Sequence, residues 1–537
     1  MRFNADGFYQ VIVVGSGLAG LSAAIEAAEQ GTSVAIFSSK ALFSGSSFYP
    51  GTWGFGLIGP ENEDDIDELT ETVCSVGCGI PDRELVKSFV SGINPAIDRL
   101  CQLGCTPKKA EKAAEREYIP CFDHKHRNWN GIDKAALKAA FSRCLQERKI
   151  TVFENSTLLE IAKQDGRVMG AVFGNRQQIR FFRCGALVLA TGGYGQLFRH
   201  HLCTEDVNGY GQYAALQAGC TLVNMEFMQM MMGFLTPGYG TVFNEKTYRF
   251  AEFVLESGAP LLAEAQKEAL ELRSGHGPFT SRLSSMCIDT AIHQTYMQTG
   301  TGPRVSYTDA AARELPEFVK VYFDWLQQEK NISIEDPVEI ALFAHASNGG
   351  VQIDAQGFTG IPGLYACGEV TGGMHGADRL GGLSTANGLV FGQRAGKAAS
   401  KSASDKLGPQ EPGHYDFDCE YRFPEEKKLL KELQERMYQN VMINRTEEGL
   451  KMTADWISEV LASRKTADSM SPAEILAACT IRGQLVTAAS IVLAARLRKE
   501  SRGSHHRADH PQEDPRQCRP VCVSMDGCQL HVRFSEQ

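Results

Sequence analysis

Gln10-Val11-Ile12-Val13-Val14-Gly15-Ser16-Gly17-Leu18-Ala19-Gly20 leads into an alanine-rich run from Leu21 to Gln30, and after Gly31 into Ser33 to Phe37. The order is β-branched strand, glycine turn, helix, second strand, which is the context that makes Gly-x-Gly-x-x-Gly a dinucleotide-binding fingerprint. Gly15 makes the turn, Gly17 lets bare backbone approach a pyrophosphate, and Gly20 permits close helix packing. The helix N-terminus then offers unpaired N–H groups to the phosphates. The second strand ends in Ser38-Ser39-Lys40 rather than in an acidic residue that would hold a ribose hydroxyl, which argues against a plain nicotinamide reading.

Working outward, Lys149 to Glu160 and Arg167 to Phe173 read as strands around the Gln164-Asp165-Gly166 turn, and Cys184 to Ala190 as an apolar strand ending in Thr191-Gly192-Gly193. From Met225 to Phe343 the composition turns to mixed helix and loop, the mark of an insertion. Glycine-rich α/β character returns from Gly349 to Gln393. Within it, Gly368 to Gly382 sets Glu369, His375 and Arg379 among six glycines, so that a flat ligand can lie close to backbone with proton-bearing side chains facing it. Together with the fingerprint, this segment points to a flavin enzyme. A polar stretch follows, and then three helical runs, Pro424 to Glu447, Gly449 to Leu461 and Pro472 to Lys499.

The expected fold is α/β: a Rossmann-like FAD-binding domain with an inserted α+β capping domain and a C-terminal helical domain. The expected division is 1–225 and 345–402 for the FAD-binding domain, 226–344 for the capping domain, 403–423 for a linker, and 424–537 for the helical domain and tail. A chain of 537 residues with 43% apolar composition has material for several cores. A net charge of −10 with dispersed basic residues argues against a nucleic-acid footprint. No uninterrupted apolar run approaches about 20 residues, and Arg2 is followed by polar residues and Asp6, so the chain reads as cytoplasmic, without membrane insertion. Its 16 cysteines form no Cys-x-x-Cys pair. Most read as small buried residues in a reducing compartment, with Cys518, Cys522 and Cys528 the better candidates for redox chemistry. No metal site is expected.

The ordered motifs resemble the flavoprotein family of succinate dehydrogenase, fumarate reductase and L-aspartate oxidase over nearly the whole chain. They include Gly15 to Gly20, Gly45-Ser46-Ser47-Phe48-Tyr49, Leu189 to Gly193, Met225-Glu226-Phe227-Met228-Gln229, His345 with Gly349-Gly350, Gly363 to Glu369, His375 to Leu380, Leu389 to Gly392 and Ser501 to Pro511. The resemblance implies FAD held by Gly15, Ser16, Gly17, Leu18, Ala19 and Gly20, by Ser38, Ser39 and Lys40, and by Gly45, Ser46, Ser47 and Gly51. Backbone at Leu158, then Ala190, Thr191 and Gly192, Glu369 for sugar hydroxyls, and Ser384 with Thr385 near the flavin pyrimidine edge complete the set. Ser46 stands where some members carry a histidine bonded covalently to FAD, so noncovalent FAD is implied.

By the same resemblance Arg379 clamps a substrate carboxylate, a task suited to a planar guanidinium fork. His345 is a second substrate contact, Arg282 the proton donor or acceptor from the cap, and His375 lines the site or holds its loop. Arginine is in general a weak acid, so the role of Arg282 rests on the resemblance. His505, Arg507 and Asp509 read as packing residues at the site's rim. The implied reaction is hydride exchange between flavin N5 and a C–C bond next to a carboxylate.

The departures narrow the substrate. Met231 replaces a substrate histidine within Glu226 to Gly233, the Thr-Glu dyad of the family is not recognised in the insertion, and Tyr210 stands where an FAD-contacting aspartate is common. Thioethers fill apolar space and cannot hold a second carboxylate. The expected substrate is therefore a small organic acid other than fumarate. An L-aspartate oxidase-like amino-acid oxidase is one alternative. Another is an FAD-bearing electron-transfer subunit served by a separate iron–sulfur or quinone-linked partner.

Overall fold

The structure is a computed structural model that describes residues 1–109, 125, 127, 129–263, 268–307, 315–404, 414–419, 421–467 and 469–536. Its main sheet runs Thr151–Phe153, Val34–Phe37, Arg2–Val14, Ile179–Leu189, Arg167–Gly174, Thr157–Gln164. The first four are parallel and the last two turn antiparallel, while Leu364–Ala366 adds in parallel beside Ile179–Leu189. Val11 to Val14 and Val34 to Phe37 are fully buried, as strands covered on both faces must be.

The first strand is longer than expected. It begins at Arg2, where Arg2 to Asn4 pair with His414–Asp416. The first helix, Leu18–Glu29, starts three residues earlier than the alanine run, inside the glycine turn. The stretch read as one strand from Lys149 to Glu160 is two, Thr151–Phe153 and Thr157–Gln164, broken where Asn155 takes a left-handed conformation at φ 50°.

A four-stranded antiparallel sheet, Met228–Thr236, Val338–Ser347, Arg304–Ser306, Glu252–Val254, carries the inserted segment, with the helix Met286–Thr299 against it. We propose 226–344 as the bounds of the insertion, with the strand Val338–Ser347 running across the 344/345 boundary. Part of the 403–423 linker lies outside the described residues.

Three helices follow, Glu426–Val441, Glu447–Ala462 and Pro472–Leu497. The last opens on a capping box, in which Ser471 Oγ accepts from the Glu474 N–H while the Glu474 carboxylate accepts from the Ser471 N–H. It is long and apolar enough to span a membrane, but most of its surface is buried inside the protein. The tail that follows the helices contains two strands. Val521–Asp526 and Gln529–Phe534 form a hairpin that joins Leu222–Val223, Gly350–Gln352 and Thr371–Gly372 in a five-stranded sheet. Cys522 is a ladder residue of that hairpin, and no group of three metal-ligating side chains occurs among the described residues.

Candidate active site

A cavity of about 290 Å³ opens at the carboxyl ends of the parallel strands, where Val14, Phe37, Ala190 and Cys367 close or follow their strands. This is the crevice in which open α/β sheets hold ligands. The fingerprint turn forms one wall with Gly15, Ser16, Gly17, Leu18 and Ala19. Gly15 has φ +115°, and a Cβ there would stand 2.2 Å from the Ala190 carbonyl oxygen. A Cβ on Gly20 would stand 2.1 Å from Gly15 O, so this glycine acts beneath the wall rather than on it. Helix Leu18–Glu29 has Gly17 as its N-cap without a side-chain cap, which leaves early N–H groups directed at the cavity. The Leu18 N–H donates to Ser47 Oγ at 3.2 Å.

Ser38 and Ser39 supply the end of the second strand, where the Ser38 and Ser16 hydroxyls meet at 2.7 Å. Gly45, Ser46, Ser47, Leu158, Ala190, Thr191, Gly192, Glu369, Ser384 and Thr385 line the same space. Three of the residues expected to hold the cofactor do not line it. Gly20 is buried below the turn, Lys40 is exposed in an ion pair with Glu205 at 3.3 Å, and Gly51 lies close to Gly240 of the inserted segment. Phe55, Gly56, Trp129, Leu202, Asp206 and Asn208 also stand on the wall, outside any motif read from the sequence. Asp206 bears on the missing aspartate. Tyr210 turns its hydroxyl to Leu159 O at 2.6 Å, while Asp206, four residues earlier, leaves Oδ1 buried without a partner among the described residues.

The wall fits a flavin dinucleotide on its own terms. Thr191 Oγ1, Ser46 Oγ and His345 Nδ1 are likewise buried without partners among the described residues, and buried polar atoms in that state are rare unless a ligand or water completes them. The Glu369 carboxylate accepts from the Ser347 N–H at 2.8 Å on the cavity wall, where its remaining oxygen lone pairs suit an acceptor of sugar hydroxyls.

His345 reaches the wall through a bulge. Gln229 pairs with Ala346 and Met230 with Ala344, which leaves His345 unopposed and turned out of the ladder. Burial, and then the charge of Arg379, lower its pKa to about 3, so it is a neutral imidazole. Arg379 shares this wall. Its Nε donates to Gln229 Oε1 at 2.9 Å, while Gln229 Nε2 donates back to the Arg379 carbonyl at 3.0 Å. Gln229 is thus a site residue that the sequence showed only as part of a motif.

His375 and Arg282 do not line the cavity. His375 is buried against Phe89 with Nδ1 unpartnered among the described residues, and burial keeps it neutral. Arg282 is exposed in the inserted segment, and its Nη1 donates to Ser75 O at 3.3 Å and Val76 O at 3.4 Å, at the end of helix Asp65–Val76. Met231 is nearly buried opposite Phe343 and also lies off the wall. His505, Arg507 and Asp509 are packing residues: Arg507 pairs with Asp509 at 2.8 Å, and His505 meets Arg445 at 2.5 Å.

A discontinuous doubly wound domain, its dinucleotide cradle and a guanidinium on the cradle wall define a flavin-dependent oxidoreductase. The family described as FAD binding domain matches residues 10–246 and 291–385, and that described as fumarate reductase flavoprotein C-term matches 430–533. The chain belongs to this family of FAD-dependent oxidoreductases, that of fumarate reductase, succinate dehydrogenase and L-aspartate oxidase flavoproteins. It is 28% identical to one of the subunits of fumarate reductase (CoM/CoB) from Methanothermobacter marburgensis, over 96% of each chain. It is 27% identical to L-aspartate oxidase of Mycobacterium tuberculosis over 96% of this chain and 94% of the other. Among solved structures, Mycobacterium smegmatis Sdh1 in complex with UQ1 superposes with a TM-score of 0.80 at 24% identity, covering 99% of this chain and 94% of that one. The E. coli quinol fumarate reductase FrdA with an E245Q mutation gives 0.77 at 23%, covering 98% and 96%. The structural likenesses concern the fold.

Proposed function

We propose that the enzyme reduces or dehydrogenates a C–C bond next to the carboxylate of a small organic acid other than fumarate. The observation that carries this reading is Arg379, fixed by Gln229 on the wall that also holds the fingerprint turn. Noncovalently bound FAD supplies hydride exchange at N5. Arg379 binds and orients the acid through a bidentate fork. His345, held neutral, donates or accepts one hydrogen bond without adding a second positive charge. Arg282, carried by the inserted segment, moves the proton at the neighbouring carbon when that segment closes and excludes water. His375, packed behind the Arg379 loop, keeps that loop in place. Met231 lies off the cavity wall, so what supports an acid other than fumarate is the loss of an imidazole at that position and not a thioether lining the site.

Ser46 on the cavity wall supports noncovalent attachment, because a serine offers no imidazole to bond the flavin. The enclosure of helix Pro472–Leu497 by protein supports its reading as a core helix rather than a membrane span, and a cytoplasmic location is part of the proposal. The test is bleaching or reoxidation of the bound flavin against a panel of saturated and unsaturated acids. Preference for a monocarboxylic enoate over fumarate supports the reading, and strong preference for fumarate removes it. The same noncovalent segment favours an L-aspartate oxidase-like reaction, which fast reoxidation by oxygen with peroxide release would select. Co-purification with an iron-containing protein would instead indicate a separate iron–sulfur or quinone-linked electron partner.

A further inference from the structure

Arg282 and Arg379 belong to different parts of the fold, and one buried carboxylate stands between them. Asp378 precedes Arg379 in the chain and is 4% exposed. Its Oδ2 accepts from Thr280 Oγ1 at 2.8 Å. The same hydroxyl oxygen accepts from the Arg282 N–H at 3.3 Å. A hydroxyl has one proton to give, so Asp378, by taking it, turns the Thr280 lone pairs toward the Arg282 amide. A neighbouring contact, Ser281 N–H to Gly503 O at 2.8 Å, holds the other side of this turn.

The loop that carries Asp378 is itself anchored. The Ala377 N–H donates to Gly77 O at 3.1 Å, and Ser504 Oγ donates to Ala377 O at 2.8 Å. The turn 280–282 therefore rests on a fixed seat rather than on a mobile one. Charged and titratable groups face Asp378 from each side: Arg282 from the inserted segment, Cys78 from the end of helix Asp65–Val76, and Glu513 from the C-terminal part.

We propose that Asp378 is a positioning residue that ties the Thr280–Arg282 turn to the Arg379 loop, so that the proton-carrying and acid-clamping arginines are held in one frame. This rests on the role given to Arg282 above. A neutral amide would tie the loops at a lower desolvation cost, since a buried carboxylate is expensive without partners. The carboxylate adds attraction for the Arg282 guanidinium, which in this structure lies on the Ser75 and Val76 carbonyls at the negative end of a helix. Burial raises the Asp378 pKa to about 7, which places the strength of this attraction under the control of pH near neutrality.

The test uses the FAD-loaded enzyme and four variants: Arg282→Gln, Thr280→Val, Asp378→Asn and Thr280→Val with Asp378→Asn. Three measurements are made. Hydrogen exchange reads the protection of the 279–284 backbone. Acetate and malonate, acids without an adjacent carbon pair to dehydrogenate, report the Arg379 clamp through the flavin absorption spectrum. Turnover is followed against pH with the best acid of the panel.

Thr280→Val is expected to lower 279–284 protection and to reduce kcat by about 10-fold or more, with acetate and malonate binding unchanged. Asp378→Asn keeps an acceptor for Thr280 and should keep most of the protection, but it should remove the inflection near pH 7 from the kcat profile. The double variant should protect the turn no less than Thr280→Val alone, because both changes act on one bond. Wild-type protection and kcat in Thr280→Val would overturn the proposal. So would an unchanged pH profile in Asp378→Asn, or loss of acid binding in parallel with kcat. If Arg282→Gln turns over normally, the proton role of Arg282 falls, whereas the tie between the loops is still decided by exchange.

Discussion

Replacing Gln229 by leucine tests how much the acid clamp depends on a residue that never touches the cavity. Gln229 is fully buried and makes a reciprocal pair with Arg379, accepting from Nε at 2.9 Å and donating to its carbonyl at 3.0 Å. A hydrogen bond to a charged group contributes roughly 1.5–3 kcal/mol and a neutral one about 1 kcal/mol. Loss of the first leaves a buried guanidinium N–H unsatisfied and holds the fork less firmly, with Nη1 still donating to Leu380 O at 3.3 Å. If half to all of the charged bond is spent on orientation, acid binding weakens by about 3- to 150-fold. The assay is titration of the FAD-loaded variant with acetate and malonate, followed by the flavin spectrum, with FAD content as the control for folding. Gln229→Glu should retain the orientation but neutralise the guanidinium, so acid binding weakens at neutral pH and recovers as that glutamate is protonated at lower pH. Binding by Gln229→Leu within about 2-fold of wild type, with full FAD content, would refute the idea that this pair aims Arg379.

Acid precipitation should release the yellow colour into the supernatant, and a yellow pellet would mean a covalent bond to the flavin. Gly20→Val should yield protein that retains little FAD, because even a Cβ there would stand 2.1 Å from Gly15 O; flavin absorbance per protein reads it. Buried His293, which burial lowers from 6.5 to about 4, stays neutral in the fold while the unfolded chain takes up a proton. Its contribution is present above pH 6.5 and is lost as pH falls through that window, by up to about 3 kcal/mol. His293→Phe should therefore flatten the acid side of a plot of unfolding midpoint against pH. Cys419 and Cys479, buried with sulfurs 3.4 Å apart, should join on treatment with hydrogen peroxide, two thiols giving one disulfide and two waters. Non-reducing peptide mapping should find the 419–479 link, and quantitative alkylation of both thiols after treatment would show that it does not form.

The cradle is legible in the sequence because its cause is local. The turn at Gly15, the uncapped helix start and the serines at the end of the second strand lie within one unit of strand, helix and strand, so spacing alone places them together. Boundaries are less so: Arg2 to Val14 is one strand because it pairs with residues near 415 at its start and near 182 in its middle, partners that no local pattern announces. The closing hairpin does have a local signature, the two-residue turn Gly527-Cys528 between alternating runs, with Gly527 at φ 58°. Its cysteines obscure that signature by suggesting redox chemistry instead.

By itself, the order of residues determined that a dinucleotide cradle forms, that one glycine-rich segment carries both Glu369 and Arg379, and that the family is one of FAD-dependent oxidoreductases, since each follows from short-range spacing or ordered motifs. Only the tertiary structure decided that Gln229, 150 residues away, is hydrogen-bonded to Arg379, that a bulge turns His345 to the wall, and that Arg282 rests on a helix end near Asp378. Those contacts join residues far apart in the chain, across a strand ladder, onto a loop and against a helix end, so no local pattern announces them; only for Gln229 and Arg379 does the cost of an unpaired buried charge add to their fixing.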